Sequence, residues 1–463
     1  MRWIVFLALV LNGLAVGPVW ARSPAVGEWH GVLRTPAGGL RLLVRIRKAD
    51  DGSLAGDLES LDQAPGRKFP LSAVHASAGR LEFAIPVLGA SFAGRFEPGA
   101  ARWVGEFHQG GAVLPLVLER DEEAAATPPR PQTPKPPFPY KVEDVRISNP
   151  EAEGVVLAGT LTLPQGDGPF PAAILVSGSG PQDRDETLFG HKPFLVIADY
   201  LTRRGIAVLR YDDRGVGESR GDFASATSAD FASDARAAVA FLRRRPDIRA
   251  DAIGIIGHSE GGMVGPLAAR EDPHIAYLVL LAAPGTPIIE LLQAQNTFLA
   301  EFQGKSAAEV ARLRALNARI LKAAAAARDA EAAKAAVNAI LDPDTRAALG
   351  LTDAAAEKMV AQLSSPWFRY FLRADPAAIL AGIDIPVLAL NGDLDRQVPA
   401  DANLAAIARA LSHNGDVTVH ALPGLNHLFQ HAKTGAPAEY AAIEETFSPD
   451  ALALIADWIG ARF

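Results

Sequence analysis

The sequence predicts an α/β fold, a doubly wound and mainly parallel sheet with a helical cap insertion, preceded by a small all-β domain. Three observations carry this expectation. From Tyr140 onward, short apolar runs alternate with helical stretches, the pattern of a parallel sheet covered on both faces. An alanine-rich helical block, from about residue 286 to 376, interrupts that alternation. Upstream, residues 22–121 carry period-two alternation and turn signals instead.

The elements follow in chain order. Residues 1–21 read as a secretory signal: Arg2 supplies the positive start, residues 3–11 are an apolar run, and Val19-Trp20-Ala21 puts small residues where a signal peptidase reads. Cleavage is expected before Arg22, with an exported protein, periplasmic or secreted, as the outcome. An uncleaved membrane anchor is the alternative, but Asn12, Gly13, Gly17 and Pro18 make a poor spanning helix, so no stable membrane insertion is expected after signal removal. The chain has no cysteine, which excludes disulfides, a thiol nucleophile and a thiolate metal site. Its net charge of −8 argues against a nucleic-acid partner. Nothing in the composition sets the oligomeric state.

In the β domain, Leu42, Val44 and Ile46 alternate with Leu43, Arg45 and Arg47, and Asp50-Asp51-Gly52-Ser53 marks a turn. Trp29-His30-Gly31, Phe92-Ala93-Gly94 and Trp103-Val104-Gly105 repeat an aromatic two residues before a glycine, as in tight strands of an antiparallel barrel or sandwich. These aromatics read as a structural core; a ligand- or surface-binding module is the alternative. Residues 122–139 form a linker with seven prolines between Pro128 and Pro139, so an extended, fairly stiff spacer is expected.

The catalytic unit is expected over residues 140–463. Its strands are expected at 172–176, 207–211, 253–256, 277–282, 387–390 and 417–422. Phe231, Ala235, Ala238, Val239 and Leu242 recur at helical spacing, with Thr227 as the cap. Within the insertion, Ser306-Ala307-Ala308-Glu309 is a capping box. Trp367, Phe368 and Phe371 near its end either line a substrate pocket or glue the cap to the sheet.

Gly257-His258-Ser259-Glu260-Gly261 lies between an apolar strand and a small-residue helix. That context makes a strained turn that lifts Ser259 above the sheet as a nucleophile. A second match, Gly217-Glu218-Ser219-Arg220-Gly221, ends a glycine-rich loop with no helix after it, so Ser219 reads as a loop serine. A serine hydroxyl needs a base, and the base needs an acid to orient it. His427, in Gly424-Leu425-Asn426-His427 after the last strand, is the expected base. Asp395, in Gly392-Asp393-Leu394-Asp395, is the expected acid, with Asp393 as the alternative. Backbone N–H groups of Glu260 and Ser179 are assigned to an oxyanion hole, with Gly178 as the alternative to Ser179. Gln182-Asp183-Arg184-Asp185-Glu186 reads as an ion-paired loop bracing that segment, with orienting substrate or binding a cation as the alternative, and the Glu260 side chain as a structural hydrogen-bonder, a binder of a cationic substrate or a group that tunes His427. His258 is expected to be held in the turn with its side chain elsewhere.

Together these residues resemble the α/β-hydrolase superfamily, and within it the bacterial exported serine esterases that carry an N-terminal β domain. The resemblance rests on Gly178-Ser179-Gly180-Pro181-Gln182-Asp183-Arg184-Asp185, on Asp213-Arg214-Gly215-Val216-Gly217-Glu218-Ser219, on residues 257–262, and on the spacings around Asp395 and His427. Ser177 departs from the histidine many relatives carry there. The resemblance implies no metal and no organic cofactor. It implies a serine carboxylesterase acting on a small-molecule ester through an acyl-enzyme. A peptidase or amidase with the same triad is the alternative, and a non-catalytic binding protein a third reading.

Overall fold

The structure, a computed structural model, describes residues 25–35, 38–62, 67–77, 79–109, 112–120, 128–349 and 351–463. The signal segment expected over residues 1–21 and the first part of the linker lie outside the described residues.

Nine antiparallel strands come first. β1 (Gly27–Thr35), β2 (Gly38–Lys48), β3 (Leu54–Ser60) and β4 (Phe69–Pro70) form one sheet in sequence order. β5 (Ser72–Ser77), β6 (Arg80–Ile85), β7 (Ala90–Glu97), β8 (Arg102–Gln109) and β9 (Ala112–Leu118) form the second. A bridge between His30 and Glu119 joins the first strand to the end of the last. The inward positions of both sheets share one core, in which Trp29, Phe83, Phe92 and Trp103 are buried. Trp29 meets Trp103 edge-on at 6.0 Å and its indole N–H donates to the Ala25 carbonyl at 2.7 Å. Trp29 and Trp103 of the repeat thus pack against each other, while Phe92 stacks on Phe83 at 5.2 Å in the same core.

The third sheet has eight strands: β10 (Lys141–Ser148), β11 (Val156–Leu163), β12 (Phe170–Val176), β13 (Ala207–Tyr211), β14 (Ile248–His258), β15 (Tyr277–Leu281), β16 (Val387–Gly392) and β17 (Val417–Leu422). Their order is β10-β11-β13-β12-β14-β15-β16-β17. β10, β11 and β13 pair antiparallel; the rest are parallel. The sequence reading omitted β10 and β11. In β10, charged residues dilute the alternation, and β11 reads Val-Leu-Ala-Gly-Thr-Leu-Thr-Leu, which lacks the long apolar run of a central strand.

Alternate residues of the parallel strands feed opposite faces. Ile174, Leu209, Ile255 and Leu280 pack under the helices Ser228–Arg243 and Gly261–Ala269. Leu175, Val208, Ile256 and Leu281 pack under Pro193–Arg203 and Pro449–Gly460. Both faces are apolar because both are covered. The helix Ser228–Arg243 starts at a capping box formed by Thr227 and Asp230.

Between β15 and β16 the chain builds seven helices, from Ile288–Phe302 to Pro376–Leu380, slightly beyond the expected end of the cap. Their core, including Leu321, Val337, Val360 and Phe371, meets Met263 and Val398 of the sheet unit. The C-terminal ends of β12, β14, β15, β16 and β17 align along one sheet edge. The loops that follow them, under the cap, meet there.

Candidate active site

The turn after β14 is the strained element. Ser259 sits at φ +53°, a left-handed conformation costly for a residue with a Cβ. Its N–H donates to the Leu281 carbonyl at 2.8 Å, tying the turn to the neighbouring strand. The flanking glycines permit the close approach. A Cβ on Gly257 would lie 2.1 Å from the Gly261 carbonyl oxygen, and one on Gly261 2.1 Å from that of Val176. No side chain fits at either position.

Ser259 lines a cavity of about 260 Å³ beneath the cap, and His427 lines it too. His427 comes from the loop after β17. Its Nδ1 lies 2.7 Å from Asp395 Oδ2, and both side chains are buried. Asp395 is held in turn: its Oδ1 accepts the N–H groups of Gln397 and Val398, each at 2.8 Å. The structure therefore brings Ser259, His427 and Asp395 to one place. Asp393 stands apart, accepting the Gly424 N–H at 2.7 Å and joining the loop after β16 to the loop after β17. Ser219 lies elsewhere, its buried hydroxyl accepting from the Ala158 N–H and donating to the Asp212 carbonyl.

The loop after β12 closes the other side. A Cβ on Gly178 would lie 3.2 Å from the Ser259 Cβ, so this loop passes directly over the serine. The Gly178 N–H is spent on Glu186 Oε1 at 2.8 Å. Among the described residues, the N–H groups of Ser179 and Glu260 donate to no other group. The Ser177 hydroxyl donates to Asp213 at 3.0 Å.

Two buried acids brace this arrangement in ways the motif did not reveal. The Glu260 carboxylate accepts from Ser228 Oγ at 2.6 Å, Ser179 Oγ at 2.7 Å and the Trp367 indole N–H at 2.8 Å. It joins the serine turn, the loop after β12, the helix Ser228–Arg243 and the cap. Burial raises it above the usual carboxylate range, against those three hydrogen bonds. Glu186 takes His258 Nδ1 at 2.9 Å, while His258 Nε2 reaches the His427 carbonyl at 3.0 Å.

His258 is thus not turned away as the sequence reading expected; its ring stands 4.9 Å from that of His427 and lines the cavity. Both of its partners are acceptors when Glu186 is ionised, so both ring nitrogens must then donate. Burial pulls His258 down, but the Glu186 charge and hydrogen bond outweigh it, with help from the His427 carbonyl and Asp395, and raise it above its ordinary value. Finding this pair needed the fold, since 72 residues separate Glu186 from His258.

The remainder of the polar loop is ion-paired. Arg184 meets Asp212 at 2.7 Å, and Asp185 pairs with Arg210 and with Lys192. On the cap side, Trp367, Phe368 and Phe371 all line the cavity, with Trp367 stacked on Phe371 at 5.2 Å. Leu291, Leu292, Val398 and Leu428 extend this apolar wall, and Gln182, Gln295 and Gln397 are its neutral polar groups. A more open groove of about 590 Å³ at the opposite sheet edge, around Tyr140 and Phe170, has no serine or histidine among its described lining residues. Among the described residues, no group of three or more His, Asp or Glu side chains could hold a metal ion, and no helix is long and apolar enough to cross a membrane.

Known proteins are similar to parts of this chain. Esterase EstD of Thermotoga maritima is 30% identical over 285 residues, covering 61% of this chain and 61% of that one. The match therefore spans less than two thirds of that relative's length. The 2,6-dihydropseudooxynicotine hydrolase of Paenarthrobacter nicotinovorans is 29% identical over 27% of this chain and 32% of its own. Among solved structures, the Pyrococcus furiosus esterase Pf2001 is similar over 72% of this chain and 97% of that one, at 16% identity and a TM-score of 0.43. The family model described as serine aminopeptidase, S33, matches residues 193–433, more than half of the chain. With a mixed sheet, a strained serine turn and an inserted cap in place, the chain belongs to this serine aminopeptidase (S33) family of α/β hydrolases.

Proposed function

We propose that the protein is a serine carboxylesterase that cleaves small, uncharged esters through an acyl-enzyme on Ser259. The observation that carries this reading is the 2.7 Å contact between His427 Nδ1 and Asp395, with His427 and Ser259 on one cavity wall. Asp395 fixes the tautomer in which Nε2 is free to take the serine proton. Ser259 Oγ then attacks the ester carbonyl. The N–H groups of Glu260 and Ser179 receive the oxyanion, a donor set worth about 10² to 10³ in rate for each member. His427 returns the proton to the leaving alcohol, and water repeats the cycle on the acyl-enzyme.

The family description favours a second reading, an aminopeptidase. An exopeptidase of that kind must hold a free ammonium near the scissile bond. The carboxylates beside this cavity are committed elsewhere: Glu186 to Gly178 and His258, Glu260 to Ser179, Ser228 and Trp367. What remains facing a substrate is aromatic, aliphatic and amide, which supports a neutral acyl group over a charged amine terminus. The charged start, apolar run and small-residue site within residues 1–21 support export as the setting.

The test pairs esters with anilides of the same acyl group. Wild-type protein should turn over the ester far faster, and Ser259→Ala should lower kcat by about 10⁴ or more with the fold retained. A fluorophosphonate probe should label the wild type and not the variant. Preferential cleavage of the anilides would favour the peptidase reading, and near wild-type turnover by Ser259→Ala would remove the serine from the mechanism.

A further inference from the structure

The linker reaches the site from behind. Arg130 forks across three main-chain carbonyls: Nη1 donates to Ile443 at 2.5 Å, and Nη2 to Ala441 at 2.8 Å and Phe189 at 2.9 Å. Gln132 grips the main chain of one residue in both senses. Its Nε2 donates to the Phe447 carbonyl at 2.7 Å, and its Oε1 accepts from the Phe447 N–H at 3.0 Å and the Thr446 N–H at 2.5 Å. The spacer expected from the prolines is thus docked, mainly onto residues 441–447.

That segment backs the catalytic loops. Phe447 stacks on Phe429 at 5.1 Å, with the rings 15° from parallel, and the Ser448 N–H donates to the Phe429 carbonyl at 2.8 Å. Phe429 follows His427 by two residues and is itself held at φ +59°. A few residues upstream, the Tyr440 hydroxyl accepts from Gln397 Nε2 at 3.0 Å, two residues beyond Asp395. The Tyr440 carbonyl and the Thr446 hydroxyl bond the two nitrogens of His191, and His191 bridges back to Leu188 of the cavity wall.

Between the end of β17 and the helix Pro449–Gly460, the regular structure is one antiparallel bridge, Leu425 to His431, and one 3-10 turn, Pro437–Ala442. A loop without a ladder is positioned by whatever bonds its main chain. Over residues 441–447 those bonds come mainly from the linker, whereas residues 424–436 are held mainly by Asn426, Glu439 and their own main chain. The N-terminal β unit leans on the same place, because β2 packs against that turn. Burial draws the Arg130 guanidinium below its ordinary value, and its Nε is buried without a partner among the described residues. A cation kept there at such cost is held for what its other nitrogens grip.

We infer that Arg130 and Gln132 are positioning residues for the base and acid loops: the linker clamps residues 441–447, and the clamp sets where His427 and Asp395 stand. This rests on His427 acting as the base. The β unit and its linker are then a brace for the catalytic geometry.

The experiment uses the full-length chain carrying Arg130→Ala or Gln132→Ala. Misplacing a base by a fraction of an ångström to an ångström lowers kcat by about tenfold to a hundredfold, with KM changed by less than about twofold. The low-field proton resonance of the His427–Asp395 hydrogen bond should shift or broaden in both variants. Millimolar guanidinium should restore part of the activity to Arg130→Ala and none to Gln132→Ala. If Arg130→Ala does not fold, Arg130→Lys serves, because an ammonium keeps the charge but cannot span the three carbonyls. Wild-type kcat with an unmoved resonance, and only a lower melting temperature, would overturn the inference. A Ser259→Ala protein that still turns over ester would instead overturn the reading of the site, so the two failures are distinct.

Discussion

Two serines of this chain occupy the same five-residue motif, and their surroundings separate them. Ser219 is a buried link, accepting from one main-chain group and donating to another at 2.8 and 2.7 Å. Its replacement by alanine leaves the Ala158 N–H buried and unpaired. Ser219→Ala should therefore lower stability by about 1–3 kcal/mol in urea denaturation while kcat stays at the wild-type level. Ser259 is the converse, a strained residue on a cavity wall whose loss should affect turnover and spare the fold. The acid can be tested in the same way. Asp395→Asn keeps the shape of the side chain but presents the wrong hydrogen-bonding pattern to His427 Nδ1, and by the precedent of serine proteases kcat should fall by about 10⁴. Retention of more than a tenth of the activity would point to a different acid. The candidate nucleophile, base and acid could be picked from local sequence because each follows a strand and sits in a short glycine-marked loop. His258 could not, since what makes it part of the site is a contact with Glu186 from a separate loop.

At the scale of elements, the helix Pro366–Arg373 carries the cap's aromatic face into the cavity. One polar bond, from Trp367 to Glu260, locks it there. Because Glu260 also holds Ser179, the cap is tied to both proposed oxyanion donors. Trp367→Phe keeps the ring and deletes that bond to a carboxylate, worth about 1.5–3 kcal/mol. The variant should lose stability on that scale and accept a wider range of acyl chain lengths, as read from kcat/KM on a series of aryl esters. An unchanged chain-length profile would mean that the wall is set by packing alone. Helices were the readily legible elements: the apolar stripe of Ser228–Arg243 and the capping box at Ser306 both announce themselves locally. β10 and β11 did not. An edge strand such as β10 needs only one apolar face, and β11 draws its burial from neighbours absent from its own sequence.

For the whole molecule, two buried groups tilt stability in the same direction with pH. Burial pushes Asp213 up to about 8, with the charges of Glu186 and Glu260 adding to it, against hydrogen bonds from the Gln182 N–H and Ser177. His258 is also raised above its ordinary value. A raised folded-state value means that the folded chain holds more protons than the unfolded chain. The stability from Asp213 is therefore fully present below its unfolded value of 3.8 and is lost as pH rises towards about 8. That from His258 is fully present below 6.5 and is lost as pH rises through its folded value. Melting temperatures should accordingly fall between about pH 6.5 and about pH 8, above the range in which His191, lowered to about 4 by burial, contributes the opposite slope, and Asp213→Asn should flatten the decline. A midpoint that rises over that range would contradict the burial of these groups.

The sequence by itself determined the fold class, the serine turn and the short loops that offer a base and an acid, because those features are written in neighbouring residues: periodicity, glycines and strand ends. It could not determine that Glu260 is shared among a loop, a helix and the cap, that Glu186 and His258 pair behind the base, or that the proline-rich linker grips the segment behind His427. Each of those contacts joins residues far apart in the chain. A buried polar group takes whichever partner the packed fold brings within hydrogen-bonding reach, and only the tertiary structure decides which one that is.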